Sequence, residues 1–582
     1  MNPDGLGAQL NKILSSSQFA HAERLSRFLR LVVEEAEAGN AESLKEYRIG
    51  VDVFDRGKDF NPRVDPIVRI QAARLRSKLL EYYAEEGVND PIVISIPKGG
   101  YVPQISSPKL GDPVVTQPSA DRSRIAVLPF VNLSADAENE YFSDGLTEEL
   151  INRLARIPSL QVVARTSAFR FKGRNEDIRE VGIQLSAGTI VEGSVRRSGD
   201  QIRMTAQLID VQSGYHLFSR TYQRQYTGLF ELQDELAQAV INEIVPLNRG
   251  EFRLGTAAQA TIAEAYNLYL RGMFASANRY EDLPSCIDLF RQALTLDPSY
   301  APAWAGLAHT YWLLAWYRAM PPAQALPLSK EAALRTLELD GASAQGHSSL
   351  GLVECGLEWR WQSAETHFKK AIELQPSLAI IYPFYAVACL MPQLRMDEAC
   401  AMAERSLTLD PFNPLFHAIA TFVYGNAGRF EQALRQNARG MEVNPYFPPI
   451  IASGAVVREW QGNLDQAIAD YRKACELSGN RPTLLSYLGH ALAKSGEKAE
   501  AEEILQKLLE LPDPPDLDIA RIYVGLHYTE EALRWLEVAA QRRNIHLLMV
   551  PSDLHFDSVR THPRFNSVLR QMGLGKPDGL SH

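Results

Sequence analysis

Two stretches carry residue types and spacings that could do chemistry. In "VRIQAARLRSKLLEYY", residues 68 to 83, Arg69, Arg74, Arg76 and Lys78 recur on a helical pattern, with Arg63 just upstream. "ISIPKGGYV", residues 94 to 102, then sets Lys98 in a glycine turn between two short apolar runs. Cations flanking a helix and tipping a hairpin can meet the phosphates and base edges of double-stranded DNA. The second stretch, "SDGLTEEL", holds Asp144, Glu148 and Glu149. Paired carboxylates suit acid–base or metal work, but no histidine, cysteine or serine partner stands beside them to complete a catalytic set. At the start of a helix they read as Ser143 or Asp144 capping free N–H groups, with acids favouring the positive end of the dipole. The chain has no GxxxxGK[ST] or GxGxxG phosphate loop, and the remaining histidines are scattered. The expectation is no catalytic residue, no cofactor and no metal ligand, and hence no enzyme.

The elements that must position these residues are bounded first by length. At 582 residues the chain exceeds what one core organises, so about three or four domains are expected. With 46% hydrophobic and 22% charged residues it belongs with folded globular proteins rather than disordered ones. A net charge of −10 means any attraction to nucleic acid must come from a local patch. The five cysteines have no CxxC spacing and read as small buried residues in a reducing compartment. No signal-type start and no long apolar run is present, so a cytoplasmic protein with no membrane contact is expected.

Three helical patterns and a closing hairpin fill the first hundred residues. Leu25, Phe28, Leu29 and Val32 mark one helix; Leu44, Tyr47, Val51 and Phe54 mark a second. On the third, Val68, Ala72, Leu75, Leu79 and Tyr82 fall on one stripe, which predicts the core face. Arg69 and Arg76 then flank one side and Arg74 and Lys78 the other, with Ile70 and Ser77 between them. Residues 1 to 105 hold 14 basic against 15 acidic side chains, so the favourable charge is confined to this helix. "RLRSKL" followed by "IPKGGYV" resembles the OmpR/PhoB-type winged-helix domain, with Arg74, Leu75, Arg76, Lys78 and Leu79 matching its recognition helix. Lys98, Gly99, Gly100 and Tyr101 match its wing. The resemblance implies DNA contact through Arg63, Arg69, Arg74, Arg76, Lys78 and Lys98 in a domain of residues 1 to 103.

Residues 104 to 123 are rich in Pro, Ser and Asp and read as a linker that could span about 65 Å when extended. From 124 to 250 strand and helix patterns alternate, then "TIVEGSVRRSGDQIRMTAQLIDVQSGYHLFSRTYQR" predicts a three-stranded antiparallel meander with turns at Ser198-Gly199 and Ser213-Gly214. "IAVLPFVNLS", "FSDGLTEELINRL" and "VEGSVRRSGDQIRMTAQLID" resemble the TolB-like N-terminal (FlgO-related) domain, which implies an α/β sandwich and no particular activity.

From 262 to 582 a repeat dominates. Small residues at Cys286, Ser329, Ala364, Ala399, Ala433, Ala467 and Ala501 are spaced 43, 35, 35, 34, 34 and 34 apart. A period near 34 is that of tetratricopeptide repeats. Trp304, Leu307 and Tyr311, and then Ala364, Phe368 and Pro376, resemble the two halves of that motif. The resemblance implies an α-solenoid of seven or eight helical hairpins ending in a capping helix, with a concave groove for a protein or peptide ligand. The fold class is therefore multidomain, α and α/β: winged helix, TolB-like domain and repeat solenoid. The implied function is a bacterial transcriptional regulator that binds DNA and senses a protein or peptide. The alternative is a signalling scaffold or cyclase-associated protein that does not bind DNA.

Overall fold

The computed structural model describes the whole chain except residues 1–2, 17, 20–21, 41–43, 58–59, 61–66, 85, 88–89, 98–100, 107–122, 135–139, 175, 226–228, 245–262, 279–282 and 576–582. It is mostly helical and divides into two compact units, Met1–Ser119 and Ala120–His582.

Among the described residues the first unit has four helices and a hairpin: α1 (Pro3–Leu14), α2 (Glu23–Glu37), α3 (Glu46–Phe54), α4 (Ile67–Ala84), β1 (Val93–Ser95) and β2 (Gln104–Ser106). Val68, Ala72, Leu75, Leu79 and Tyr82 of α4 are all buried, as the helical stripe requires. Two expectations need correcting. Helix α1 escapes the periodicity reading because Gly5 and Gly7 dilute its pattern. It is held by Asp90, whose buried carboxylate accepts from Gln9 Nε2 at 2.5 Å, from Tyr82 Oη at 2.6 Å and from Lys12. The inward face of α3 is Ile49, Gly50, Val53 and Phe54, while Tyr47 is 45% exposed. Tyr47 therefore stands on the solvent side of α3, off the core stripe expected for it.

In the second unit, β3 (Arg124–Val127), β4 (Val131–Asn132), β5 (Gln161–Val162), β6 (Thr189–Ser198), β7 (Gln201–Asp210) and β8 (His216–Gln225) form one sheet. Its order is β5-β3-β6-β7-β8, with β4 beside β6. β3 runs parallel to β5 and β6, and β6, β7 and β8 form an antiparallel meander. Gly199 and Gly214 turn it at φ of 58° and 73°, conformations in which a side chain is strained. Helices α5 (Glu140–Ala155), α6 (Arg165–Phe169), α7 (Ile178–Leu185) and α8 (Leu229–Ile244) complete this region.

Eight helical hairpins follow among the described residues: α9 (Ala263–Asn278) with α10 (Leu283–Leu296), α11 (Ala301–Trp316) with α12 (Pro322–Leu339), and α13 (Ala344–Val353) with α14 (Trp361–Leu374). The next are α15 (Ile381–Tyr385) with α16 (Met396–Leu409), α17 (Pro414–Asn426) with α18 (Phe430–Val443), and α19 (Pro448–Trp460) with α20 (Leu464–Ser478). The last pairs are α21 (Pro482–Ser495) with α22 (Lys498–Leu509) and α23 (Asp516–Gly525) with α24 (Thr529–Gln541). The small residues of the sequence period, Cys286 through Ala501, are all buried on the second helices, where they allow close helix approach.

Sheet region and solenoid share one continuous core in which Leu150 and Leu154 join Tyr266, Tyr269 and Phe290. The edge strand β5 is tied to two solenoid loops. Val162 N donates to Ser377 Oγ at 3.2 Å, Ala164 N to Leu409 O at 3.0 Å, and Ser167 Oγ to Asp410 Oδ1 at 2.6 Å. Bonding across some 215 to 245 residues makes the two regions one body.

Candidate functional sites

In the first unit, Arg63 and Lys98 lie outside the described residues, as do the side chains of Arg69 and Arg74. Arg76 and Lys78 are described, and both serve the unit itself. Arg76 donates from Nε to Ile96 O at 3.0 Å and from Nη2 to Pro97 O at 2.9 Å, so it fastens α4 to the segment leading out of β1. Lys78 Nζ donates to Gln18 O at 2.6 Å. A guanidinium holding two carbonyls fixes the hairpin at a set angle to the helix.

The carboxylates of "SDGLTEEL" do not cap a helix, because α5 begins earlier, at Glu140. Asp144 lies buried one turn in, with both oxygens 2.6 Å from Lys172 Nζ. Burial raises its carboxyl pKa despite that lysine. Glu148 Oε2 is 3.1 Å from Arg165 Nε and Glu149 Oε1 is 3.4 Å from Arg153 Nε. Each acid is committed to a local ion pair.

The chain beyond α24 turns back into the solenoid. Its 3₁₀ turns, Ile545–Met549 and Leu554–Val559, precede α25 (Pro563–Gln571). Ile545 and Leu548 reach back to the first helices of earlier hairpins, while Leu547, Val550, Phe556 and Val559 pack with α25 against α23 and α24 at the end of the stack. Ile545 and Leu548 share a core with Trp312, Val353, Phe384, Val423 and Val457. His546 Nε2 bonds Trp316 O at 3.0 Å, and Trp361 Nε1 donates to Met572 O at 2.6 Å. Two π-helical turns, Glu354–Glu358 and Ala386–Leu390, widen the inner face where the segment lies, and Gly356 leaves room for Ile545.

Farther along, this strap meets a buried polar network. Glu459 on α19 accepts from Tyr471 Oη at 2.8 Å and bonds His490 Nδ1 at 2.6 Å and His555 Nε2 at 3.2 Å. His555 Nδ1 is 2.5 Å from Asp553 Oδ1. Arg521 on α23 reaches Asp553 Oδ2 and Asp518 Oδ1, both at 3.3 Å, and Arg318 closes on Asp518 Oδ2 at 2.9 Å. The scatter of histidines in sequence is thus not a scatter in space. Donor atoms around a zinc ion at 2.0–2.1 Å stand about 3.3 Å apart, so the 2.6 Å His490–Glu459 contact is a direct hydrogen bond. One signal was legible: Glu459, His490 and Arg521 are each 31 residues apart, polar groups on successive inner helices.

Where the strap does not reach, a hollow of about 80 Å³ remains on the inner face of the early hairpins, lined by Met273, Phe290, His309, Gln345, Ser348 and Phe384. Burial lowers the His309 pKa to about 4, so its ring is neutral there. Among the described residues no helix is long and apolar enough to cross a membrane. All five cysteines are free and buried.

A family model described as a TPR repeat matches residues 461–496. The chain is 38% identical over 243 residues to the Rhizobium meliloti (strain 1021) protein named "Putative adenylate cyclase 3", covering 40% of each. It is 23% identical over 308 residues to the transcriptional regulator HilA of Salmonella typhimurium, covering 51% of this chain and 53% of HilA. It therefore spans about half or less of the curated relatives it matches. A solved structure of Pseudomonas aeruginosa PilF is 21% identical, with a TM-score of 0.28, over 37% of this chain and 95% of that one.

Proposed function

We propose that this chain is a regulatory scaffold whose repeat solenoid holds a protein or peptide partner and performs no catalysis itself. The observation that carries this is the stack of eight hairpins, matched at 461–496 by the TPR repeat and bonded into one body with the sheet region. Such stacks present extended surfaces suited to polypeptides. Because the strap fills much of the inner face, the partner engages the early hairpins around the hollow beside His309 and Phe384. We read residues 124–250 as the TolB-like domain and 262–582 as the tetratricopeptide region. Crosslinking from residues placed on α11 and α13 of the full chain should trap one partner protein and should fail from residues placed on α18. Conversion of ATP to cyclic AMP by the pure chain, abolished by a substitution within 124–250, would sink the non-catalytic reading.

A second reading, of residues 1–103 as a DNA-binding winged helix, is favoured by the order α4, β1, β2 with Arg76 fastening helix to hairpin. The relative HilA is named a transcriptional regulator, which supports it. In this reading Arg63, Arg69, Arg74 and Lys98 contact the duplex, while Arg76 and Lys78, bonded within the unit, set the geometry. Full-chain binding to duplex DNA should weaken with salt, each phosphate contact adding about 0.9 to the log–log slope. Lys98→Ala should lower that slope by roughly one unit. Arg76→Ala should weaken binding while disordering the hairpin, seen as faster amide exchange at 93–106. Binding that is indifferent to salt and to Lys98 removes this reading and leaves the scaffold intact.

A further inference from the structure

We propose that the polar half of the strap, residues 551–559, is latched onto the inner face of the solenoid by a proton carried on His555, and opens when that proton is lost. Both ring nitrogens face carboxylate oxygens, Nδ1 toward Asp553 at 2.5 Å and Nε2 toward Glu459 at 3.2 Å. A neutral imidazole has one N–H, so it would leave a lone pair aimed at a buried carboxylate; only an imidazolium donates to both.

The surrounding groups fit the same assignment. Facing His555 are Glu459 and Trp460 from α19, Tyr487 and His490 from α21, and its own neighbour Asp553, with Tyr471 from α20 donating to Glu459. Arg521 and Asp518 from α23, and Arg318 beyond α11, complete the network. Its carboxylates Glu459, Asp553 and Asp518 face Arg521, Arg318 and a charged His555, with the buried carboxyl of Asp516, its pKa raised by burial, bonded to Asn544 at the margin. His490 shows a single polar contact, with Glu459, and is satisfied as a neutral ring; burial lowers its pKa.

Burial disfavours charge on His555, but Asp553 and then Glu459 outweigh it and raise its pKa from 6.5 to about 9. A group whose pKa is raised in the closed state stabilises that state fully below its ordinary value, and the contribution disappears as pH climbs through the raised one. Closure is therefore proton-bound across the neutral range and loosens on the alkaline side. Residues 545–550 are held by Ile545, Leu547, Leu548 and Val550, buried apolar anchors with no charge to lose; in 551–559 Phe556 and Val559 are buried too, and His555 is the part of that segment's hold that pH removes.

Two measurements on the full chain test this. Ring-nitrogen NMR of histidine-labelled protein near pH 7 should show one histidine protonated at both nitrogens, missing in His555→Gln and titrating toward about 9. Amide exchange, corrected for its intrinsic pH dependence, should rise about tenfold or more at 551–559 between about pH 7 and about pH 10, with α18 unchanged. Glu459→Gln, which removes one carboxylate, should bring the opening to lower pH. The proposal is overturned by a neutral His555 at pH 7, by latch and α18 losing protection together, or by the same pH response in His555→Gln. Should that variant not fold, the wild-type exchange profile and the Glu459→Gln shift still decide. None of these outcomes depends on which partner, if any, the solenoid holds.

Discussion

Replacing Arg521 with leucine is expected to destabilise the solenoid by about 3–5 kcal/mol, the cost of stripping the counter-charge from a buried ion network. Arg521 donates to Ser486 Oγ at 2.7 Å, pairs with Asp518 and Asp553, and lies 4.1 Å over the ring of Tyr487. Burial opposes its charge, yet Tyr487, Asp553 and Asp518 raise its pKa further, so it is charged throughout. Without it, Asp553 keeps only the His555 contact and Asp518 only Ser486 and Arg318, both acids remaining in a low-dielectric interior. Arg521→Lys should recover little, because a point charge cannot bridge two carboxylates and stack on a ring together. The control is Arg472→Ala: its pair with Glu500, at 2.8 Å, is about half exposed on both sides, which places the cost below about 1 kcal/mol. All seven tryptophans lie between residues 304 and 535, so their fluorescence in a denaturant titration reports the solenoid alone. Equal midpoints for the Arg521 and Arg472 variants would refute the network's importance.

The contrast between what local pattern reveals and what it hides has a physical basis. The 34-residue period is readable because each hairpin needs a small residue, Ala364 or Ala433 for instance, where two helices touch, and that need repeats with the fold. The buried stripe of α4 is readable because one side of it meets a single core. The register of α3 is not, since Tyr47 is apolar enough to count as core yet stands outward on a short helix with few residues to outvote it. The acids of α5 carry the local pattern of a helix start, yet Asp144 lies inside the helix and Lys172, 28 residues on, is its partner. Least legible are contacts set by closure of the whole superhelix. His555 meets Glu459 across 96 residues and His546 meets Trp316 across 230. No periodicity encodes those distances. The closest hint was polar residues at 31-residue spacing on faces that a solenoid usually leaves to a ligand.

Leu548→Ala is expected to cost about 2–5 kcal/mol, the range for deleting a buried leucine and leaving a cavity that its neighbours only partly fill. Leu548 is fully buried in the core that joins Trp312 on α11, Val353 on α13, Phe384 on α15 and Val457 on α19. These helices belong to four different hairpins, so a void there loosens the contact by which one strand of chain braces the early repeats to the later ones. Solenoid repeats otherwise touch only their neighbours and can unfold in steps. The strap adds long-range contacts, and the wild-type unit should unfold in a single transition. In Leu548→Ala the transition should move to lower denaturant and broaden, because hairpins before and after the brace are no longer obliged to melt together. Leu394→Ala, removing a side chain that is 60% exposed, should leave midpoint and slope within about 0.5 kcal/mol of wild type. The distinction from the latch is direct: loss of the proton at His555 should open 551–559 with the global midpoint little changed, whereas loss of the Leu548 side chain should act on the whole solenoid. If Leu548→Ala leaves the melting curve where it was, the segment is a surface attachment rather than part of the core, and the inner face is open to a partner along its full length.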